Sequence, residues 1–368
     1  MDDSRVLTRE KRTMRAVLAA WPKIDLHRHL EGSLRLSTLA EIAREHGVDL
    51  PSWDLEELRP YVQVVDDSRD FQSFLSKFRL LRRFYSTREA VMRVAYEAAA
   101  DAAADNVKYL ELRFNPVALA KVQGFGYEEV AEWVMAAVRN AQDEHDIQVR
   151  LIIQIGRDES LAVARQLAEV AATFRDQGIV GIDLAGDEIN YGGARFAEVF
   201  QWAKAQGLYI TIHAAEAGEA SNIREAIELL NADRIGHGVR AMEDLSILDL
   251  LTKRQVPLEM CPTSNLQTGA VSRLVQHPLW AYQKVGIPVT INTDDPSISS
   301  TTLTDEYLVA LRVVGVPLSA IQEMILTAAQ AAFLPNAERQ RLVDWFRQAL
   351  PSLPSGTLLK RLSLSREV

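Results

Sequence analysis

Four of the chain's seven histidines stand at the ends of β-rich segments, and three of them could share a metal ion. His27 and His29 lie in KIDLHRH, two positions apart on what reads as extended chain. Alternation then sends both imidazoles to the same side, as two ligands of one ion require. His213 ends the apolar run YITIH, where an unpaired imidazole would be costly to bury. It fits a third nitrogen ligand or a hydrogen-bonded core histidine. Asp294 follows VTIN and offers an oxygen ligand. Helix N-capping is the competing role for an aspartate just after a strand, more so for Asp295 beside it. Three imidazoles and a carboxylate that leave room for water make a catalytic zinc centre. Glu216, three residues past His213, can face the same cavity without touching the ion. A carboxyl beside an apolar pocket holds its proton to higher pH and can donate it. His237, inside the glycine-rich RIGHG, is placed to orient or deprotonate a metal-bound water.

These residues need a scaffold that gathers distant segments, and the chain reads as one. Eight β-rich segments recur: Lys23–His27, Tyr109–Phe114, Val149–Ile155, Val180–Ala185, Tyr209–His213, Arg234–His237, Pro257–Cys261 and Pro288–Asn292. After the long first gap their starts fall roughly 25 to 40 residues apart, the length of one strand–loop–helix unit. The stretches Ala90–Ala104, Glu128–Asp143, Ser160–Gln177, Arg195–Gln206, Asn222–Leu230 and Ser246–Arg254 show apolar residues at helical spacing. LIIQI and YITI are apolar nearly throughout, as parallel strands covered on both faces should be. Eight such units predict a (β/α)8 barrel, and in that fold function sits at the C-terminal ends of the strands. The polar residues named above cluster at those ends. The long gap, at about residues 34–105, reads as a helical insertion capping the barrel mouth, with FQSFLSKFRLLRRFY as its aromatic part. No repeat or Gly/Ser linker interrupts the chain, so residues 1–368 read as a single domain.

Composition narrows the partners. A formal net charge of −9 with no basic stripe argues against a nucleic-acid phosphate backbone and for a small neutral ligand. No run approaches a membrane span, and the N-terminal residues do not form a secretory signal. The single cysteine, Cys261, excludes an intrachain disulfide and reads as a small buried hydrophobe. A cytoplasmic setting is the expectation. His46, His145 and His277 read as surface residues, and Glu111 and Arg113 as a core or supporting ion pair.

At PKIDLHRHLEGSL, FLSKF, YLELRFNP, GIDLAGDE, TIHAAEAGE, RIGHGVR, CPTSN and VTINTDDPS the chain resembles the adenosine deaminase family of metal-dependent hydrolases. The segments fall in family order from about Pro22 to about Tyr307; Met1–Ala20 and the tail after Leu334 carry no such resemblance. The resemblance implies one zinc ion per chain held by His27, His29, His213 and Asp294. It implies that Glu216 protonates purine N1, that His237 assists the attacking water, that the Gly186 N–H reaches N3 and that Asp295 meets N7. His29 and Glu31 would also border the substrate, Glu31 near the ribose 5′ hydroxyl. The expected reaction is hydrolytic deamination of adenosine or 2′-deoxyadenosine to the 6-oxo nucleoside and ammonia. Glu31 stands where family members acting on adenosine usually carry aspartate, which keeps a 5′-modified adenosine such as aminodeoxyfutalosine, or free adenine, as the alternative. Gly236 before His237 weighs against adenine, since that branch carries aspartate there. The fourth strand ends in LAGD without the lysine that bridges two metals in related barrels. A different amidohydrolase reaction on the same scaffold, or a non-catalytic nucleoside binder, are the competing classes.

Overall fold

The computed structural model describes residues 3–353. Eight parallel strands follow one another in chain order around one sheet. They are β1 (Lys23–His29), β2 (Val107–Phe114), β3 (Gln148–Gly156), β4 (Ile179–Ala185), β5 (Tyr209–Ala214), β6 (Arg234–His237), β7 (Leu258–Met260) and β8 (Val289–Ile291). Helices lie between them, so the architecture is a (β/α)8 barrel. Every strand from β4 to β8 is buried along its length apart from Tyr209, which explains their Ile, Leu and Val content.

The ring closes between β8 and β1 without a regular ladder. Asp294, just past β8, donates its N–H to the His27 carbonyl and accepts the His29 N–H, both at 2.8 Å. Lower in the seam the side chain of Asn292 replaces a peptide group, its Oδ1 accepting the Leu26 N–H at 2.9 Å. β1 is also out of step with β2 between Asp25 and Arg28. A bulge there re-aims the side chains within and just after it, His27 and His29 among them.

The barrel interior below the mouth is charged. Arg234 bridges Glu111 and Glu259. Arg113 bridges Asp183 at 3.0 Å and Glu259 at 2.8 Å. The Tyr109 hydroxyl donates to Glu111 and the Thr211 hydroxyl to Glu259. Phe333 stacks over the Arg234 guanidinium at 3.5 Å and gives its N–H to Glu111. Glu111 and Arg113 are thus a core charge network, as their positions in β2 predict.

Outer helices begin at side-chain caps and bury apolar stripes. Thr87 caps Arg88–Ala104 by accepting the Ala90 N–H, Ser160 caps Leu161–Thr173 and Asp244 caps Leu245–Arg254. Such a cap contributes about 1 kcal/mol. The Ala-rich face of Arg88–Ala104 (Ala95, Ala98, Ala99, Ala102) is fully buried. Several boundaries differ from the sequence expectation. The helix predicted to reach Gln177 stops at Thr173 and tightens into a 3-10 turn, Arg175–Gln177. The one predicted from Arg195 opens with a 3-10 turn, Ala194–Phe196. β7 and β8 pair over three residues each, because the prolines before them, Pro257 and Pro288, lack an N–H for the ladder.

Between β1 and β2 lie helices Leu36–His46, Leu55–Val62, Phe71–Ser76 and Phe78–Leu81, then Arg88–Ala104. This stretch touches loops that follow the later strands. Gln63 donates to the Ser297 carbonyl at 2.6 Å, Val64 to the Ile298 carbonyl at 2.9 Å and Gln72 to Asp187 at 3.4 Å. Among the described residues no helix is long and apolar enough to cross a membrane.

Candidate active site

His27, His29, His213 and Asp294 converge at the C-terminal end of the barrel. The His29 Nε2 lies 3.3 Å from the Nε2 of His27 and 3.2 Å from that of His213. Asp294 Oδ1 is 3.2 Å from His27 Nε2 and 3.1 Å from His29 Nε2. A tetrahedral zinc with ligands at about 2.05 Å holds them about 3.3 Å apart. The donor spacing therefore fits such an ion.

The opposite ring nitrogens explain why. His27 Nδ1 meets Glu259 Oε2 at 2.7 Å, His29 Nδ1 meets Gln154 Oε1 at 2.7 Å, and His213 Nδ1 meets Asp183 Oδ1 at 3.0 Å. Each acceptor fixes the proton on Nδ1, so each Nε2 turns a bare lone pair toward the other two. Burial lowers the His213 pKa to about 4, against the opposing pull of Asp183, so the ring is neutral and ready to ligate. Burial alone would raise the Glu259 pKa, but Arg113 and Arg234 hold it well below the usual carboxylate range. Ser264 donates to Asp294 Oδ2 at 2.7 Å, leaving Oδ1 for the ion. The cluster can hold a metal.

Glu216 and His237 complete the group. Glu216 Oε2 is 3.4 Å from His237 Nε2, and its Oε1 accepts the Thr268 hydroxyl at 3.0 Å. Burial, and then the charges of Asp294 and Glu188, push the Glu216 pKa well above the usual carboxylate range. A carboxyl so placed keeps its proton to higher pH than a free glutamate. His237 Nδ1 faces Asn265 Nδ2 at 3.1 Å. The Asn265 oxygen takes the Cys261 N–H and meets His277 Nε2 at 3.1 Å, so the amide presents its NH2 to His237. That places the His237 proton on Nε2, toward Glu216 and Asp294. His277 is buried rather than on the surface as the sequence suggests, because it anchors this relay. Cys261 is buried, as expected.

Asp295 precedes the short helix Pro296–Ser299 but its side chain makes no cap bond; its Oδ1 is buried without a partner. The carboxylate lies directly over Gly32, where a Cβ would come within 1.8 Å of Oδ1. Glu31 Oε1 accepts the Asn115 N–H at 2.8 Å, and its Oε2 is likewise buried and unpartnered. Burial raises the pKa of both acids, and the charges of Asp294 and Glu31 push that of Asp295 further up. Gly186 follows β4 at φ 107°, a conformation that favours glycine, beside Arg157. Arg157 in turn donates to the His213 carbonyl at 2.8 Å. His237 and Asp294 both sit at φ 62°, non-glycine residues in the left-handed region, as is common where strands turn to present chemistry.

Sequence reasoning did not single out Gln154, Asp183, Glu259, Ser264, Asn265, Thr268 or Glu188. The signal available was a polar residue inside an otherwise apolar strand: Gln154 in LIIQI, Asp183 in GIDLA, Glu259 in PLEM.

The adenosine deaminase family pattern matches residues 22–349. Adenosine deaminase of Clostridium botulinum strain Hall is 41% identical over 325 residues, 88% of this chain and 96% of the relative. That of Klebsiella pneumoniae strain 342 is 38% identical, over 88% of this chain and 97% of its own length. Among solved structures, adenine deaminase from Arthrobacter aurescens superposes with a TM-score of 0.82 at 29% identity, covering 89% of this chain and 98% of that one. An Arabidopsis N6-mAMP deaminase does so with a TM-score of 0.81 at 30% identity, covering 91% and 100%. With a pattern match over most of its length and relatives well above 30% identity, this chain belongs to the adenosine deaminase family, as an aminohydrolase acting on a purine amino group.

Proposed function

We propose that the protein is a zinc-dependent deaminase of adenosine and 2′-deoxyadenosine, releasing inosine or 2′-deoxyinosine and ammonia. The observation that carries this reading is the buried Glu216 carboxyl beside three converging imidazoles and Asp294. His27, His29, His213 and Asp294 would hold one zinc ion. When bound, zinc lowers the pKa of a water toward neutrality and so supplies the nucleophile for C6.

The chain's own groups do the rest. Glu216 gives its proton to N1, neutralising the charge pushed into the ring as C6 is attacked. His237, with its proton on Nε2, donates a hydrogen bond that orients the attacking oxygen. The C6–N6 bond then breaks as the proton of the new C6 hydroxyl passes to the departing amino group, giving the 6-oxo nucleoside and ammonia, and the water's other proton restores Glu216. Asp295 pairs with N7 and the Gly186 N–H with N3. The unpartnered oxygens of Asp295 and Glu31 support a polar ligand at that end of the site. His29 and Glu31 border the ribose, and residues 34–105 cap the mouth, a role supported by their contacts with the loops after β4 and β8. The cytoplasm suits a chain with one buried thiol.

A second reading, a 5′-modified adenosine or free adenine, is favoured by Glu31, one methylene longer than the aspartate expected there. A panel of adenosine, 2′-deoxyadenosine, a 5′-substituted adenosine and adenine separates these by loss of adenosine-type ultraviolet absorbance. Turnover of none of them refutes the proposal. One zinc per chain is expected by elemental analysis; two metals would point to a different hydrolase. Glu216→Gln should keep zinc and lose at least a hundredfold in kcat; full activity in that variant removes Glu216 from its role.

A further inference from the structure

The structure assigns Glu188 a positioning role: its carboxylate clamps the turn Ala215–Gly218 and thereby sets where Glu216 stands. This rests on the deaminase reading above for its catalytic consequence, though not for its geometry. Four consecutive backbone N–H groups converge on this one side chain. Those of Glu216, Ala217 and Gly218 reach Oε1 at 2.8, 2.7 and 2.8 Å, and that of Ala215 reaches Oε2 at 2.9 Å. Asn222 Nδ2 donates to Oε2 at 3.0 Å. Glu188 is 6% exposed, and these five donors together with the nearby Arg157 and Arg240 guanidiniums compensate its charge.

Consecutive amides point at one anion only if the backbone alternates its handedness, and Ala215 does so at φ 55°. A non-glycine residue holds that conformation only where its surroundings impose it. Gly218 is required on steric grounds: a Cβ there would come within 2.8 Å of Glu188 Oε2 and 2.4 Å of Asn222 Nδ2. The opposite edge of the turn is held as well, since Arg240 Nη1 donates to the Ala217 and Gly218 carbonyls at 3.1 and 3.0 Å. Glu216 therefore rides on a turn gripped from both sides. The grip from Glu188 comes from the β4 loop, two residues after Gly186. It ties the element proposed to meet the purine N3 edge to the one that delivers the proton to N1. A proton donor displaced by about 1 Å loses on the order of a hundredfold in rate.

Glu188→Gln tests this. The amide keeps the shape, but it turns an NH2 toward N–H donors on one side and cannot satisfy all five. In the zinc-loaded enzyme kcat should fall about 10- to 100-fold, while KM, zinc content and the far-ultraviolet circular dichroism stay within threefold or unchanged. Amide hydrogen exchange at residues 215–218 should quicken at least tenfold in the variant, with β5 as the internal control. If kcat stays within threefold of wild type, or falls only in step with zinc and folded protein, the positioning role is wrong. If the wild-type chain turns over no purine, the deaminase reading fails separately. The exchange measurement then decides the clamp: unchanged protection at 215–218 overturns it, and quickened exchange upholds it.

Discussion

Replacing Glu259 with glutamine should damage stability and metal binding together, because one buried carboxylate serves both. It is fully buried and accepts from His27 Nδ1 at 2.7 Å, Arg113 at 2.8 Å, Arg234 at 2.5 Å and Thr211 at 3.0 Å. Glutamine offers one acceptor oxygen and points an NH2 at the remaining donors. A hydrogen bond to a charged group contributes about 1.5–3 kcal/mol. Both arginines keep another partner, Asp183 for Arg113 and Glu111 for Arg234, so neither is left bare. Loss of two such bonds gives roughly 3–6 kcal/mol of destabilisation, close to the range for breaking a buried charge pair. The metal term is separate. Without Glu259 the His27 Nδ1 proton has no anchor, and losing such a partner typically costs 10–100-fold in affinity. That equals about 1.4–2.7 kcal/mol more in the zinc-loaded form. Urea denaturation with and without zinc, together with competition against a chromophoric chelator, measures both terms. Zinc affinity within threefold of wild type, with stability changed by less than about 1 kcal/mol, would refute the reasoning.

Gly32→Ala would drive a methyl group into Asp295, whose Oδ1 and Cβ lie 1.8 and 2.5 Å from the ideal Cβ position. The carboxylate must move, so KM should rise at least tenfold with zinc content intact; an unchanged KM in steady-state assays contradicts the N7 role. Gly236→Ala places a methyl 3.1 Å from His27 Cε1 and 3.2 Å from His213 Cα, pressing on two ligands at once. Chelator competition should therefore show weaker zinc binding, with little change in purine affinity. His277 gives the protein an acid limit. Burial lowers its pKa to about 3, against about 6.5 in an unfolded chain. The unfolded state therefore binds more protons between those values, and stability present above pH 6.5 is lost as pH falls toward 3, at up to about 1.4 kcal/mol per unit. His277→Gln, compared with wild type by urea unfolding at pH 7.5 and pH 5, should show a shallower loss; equal losses would remove His277 as the cause.

The barrel was legible because its strands and helices differ in rhythm, and because LIIQI and YITI can only be strands buried on both faces. The converging histidines were legible for the complementary reason: His213 and His237 break apolar or glycine-rich runs at strand ends. The charged interior was less visible. Glu259 and Asp183 are single letters in short strands, and nothing local says that two arginines and two imidazoles from other strands will meet them. His277 shows the same limit. Its neighbours Gln276 and Pro278 suggest a loop, yet it is buried through a contact with Asn265, twelve residues upstream. Residues 34–105 were readable as helical, but which loops they touch depends on pairings such as Gln63 with Ser297, hundreds of positions away.

Asp294 is where the first and last strands are stitched together, through its bonds to His27 and His29. Its carboxylate belongs to the same cluster as those two imidazoles. Ribosomal synthesis delivers the histidine pair early and this aspartate some 265 positions later, as their numbering records. The complete set of donors therefore comes together only when the ring shuts, and a truncated chain offers a divalent ion at most part of that set. A cation held by all four donors would thus load only into finished molecules and would act as a clasp across the one junction of the cylinder that lacks a regular ladder.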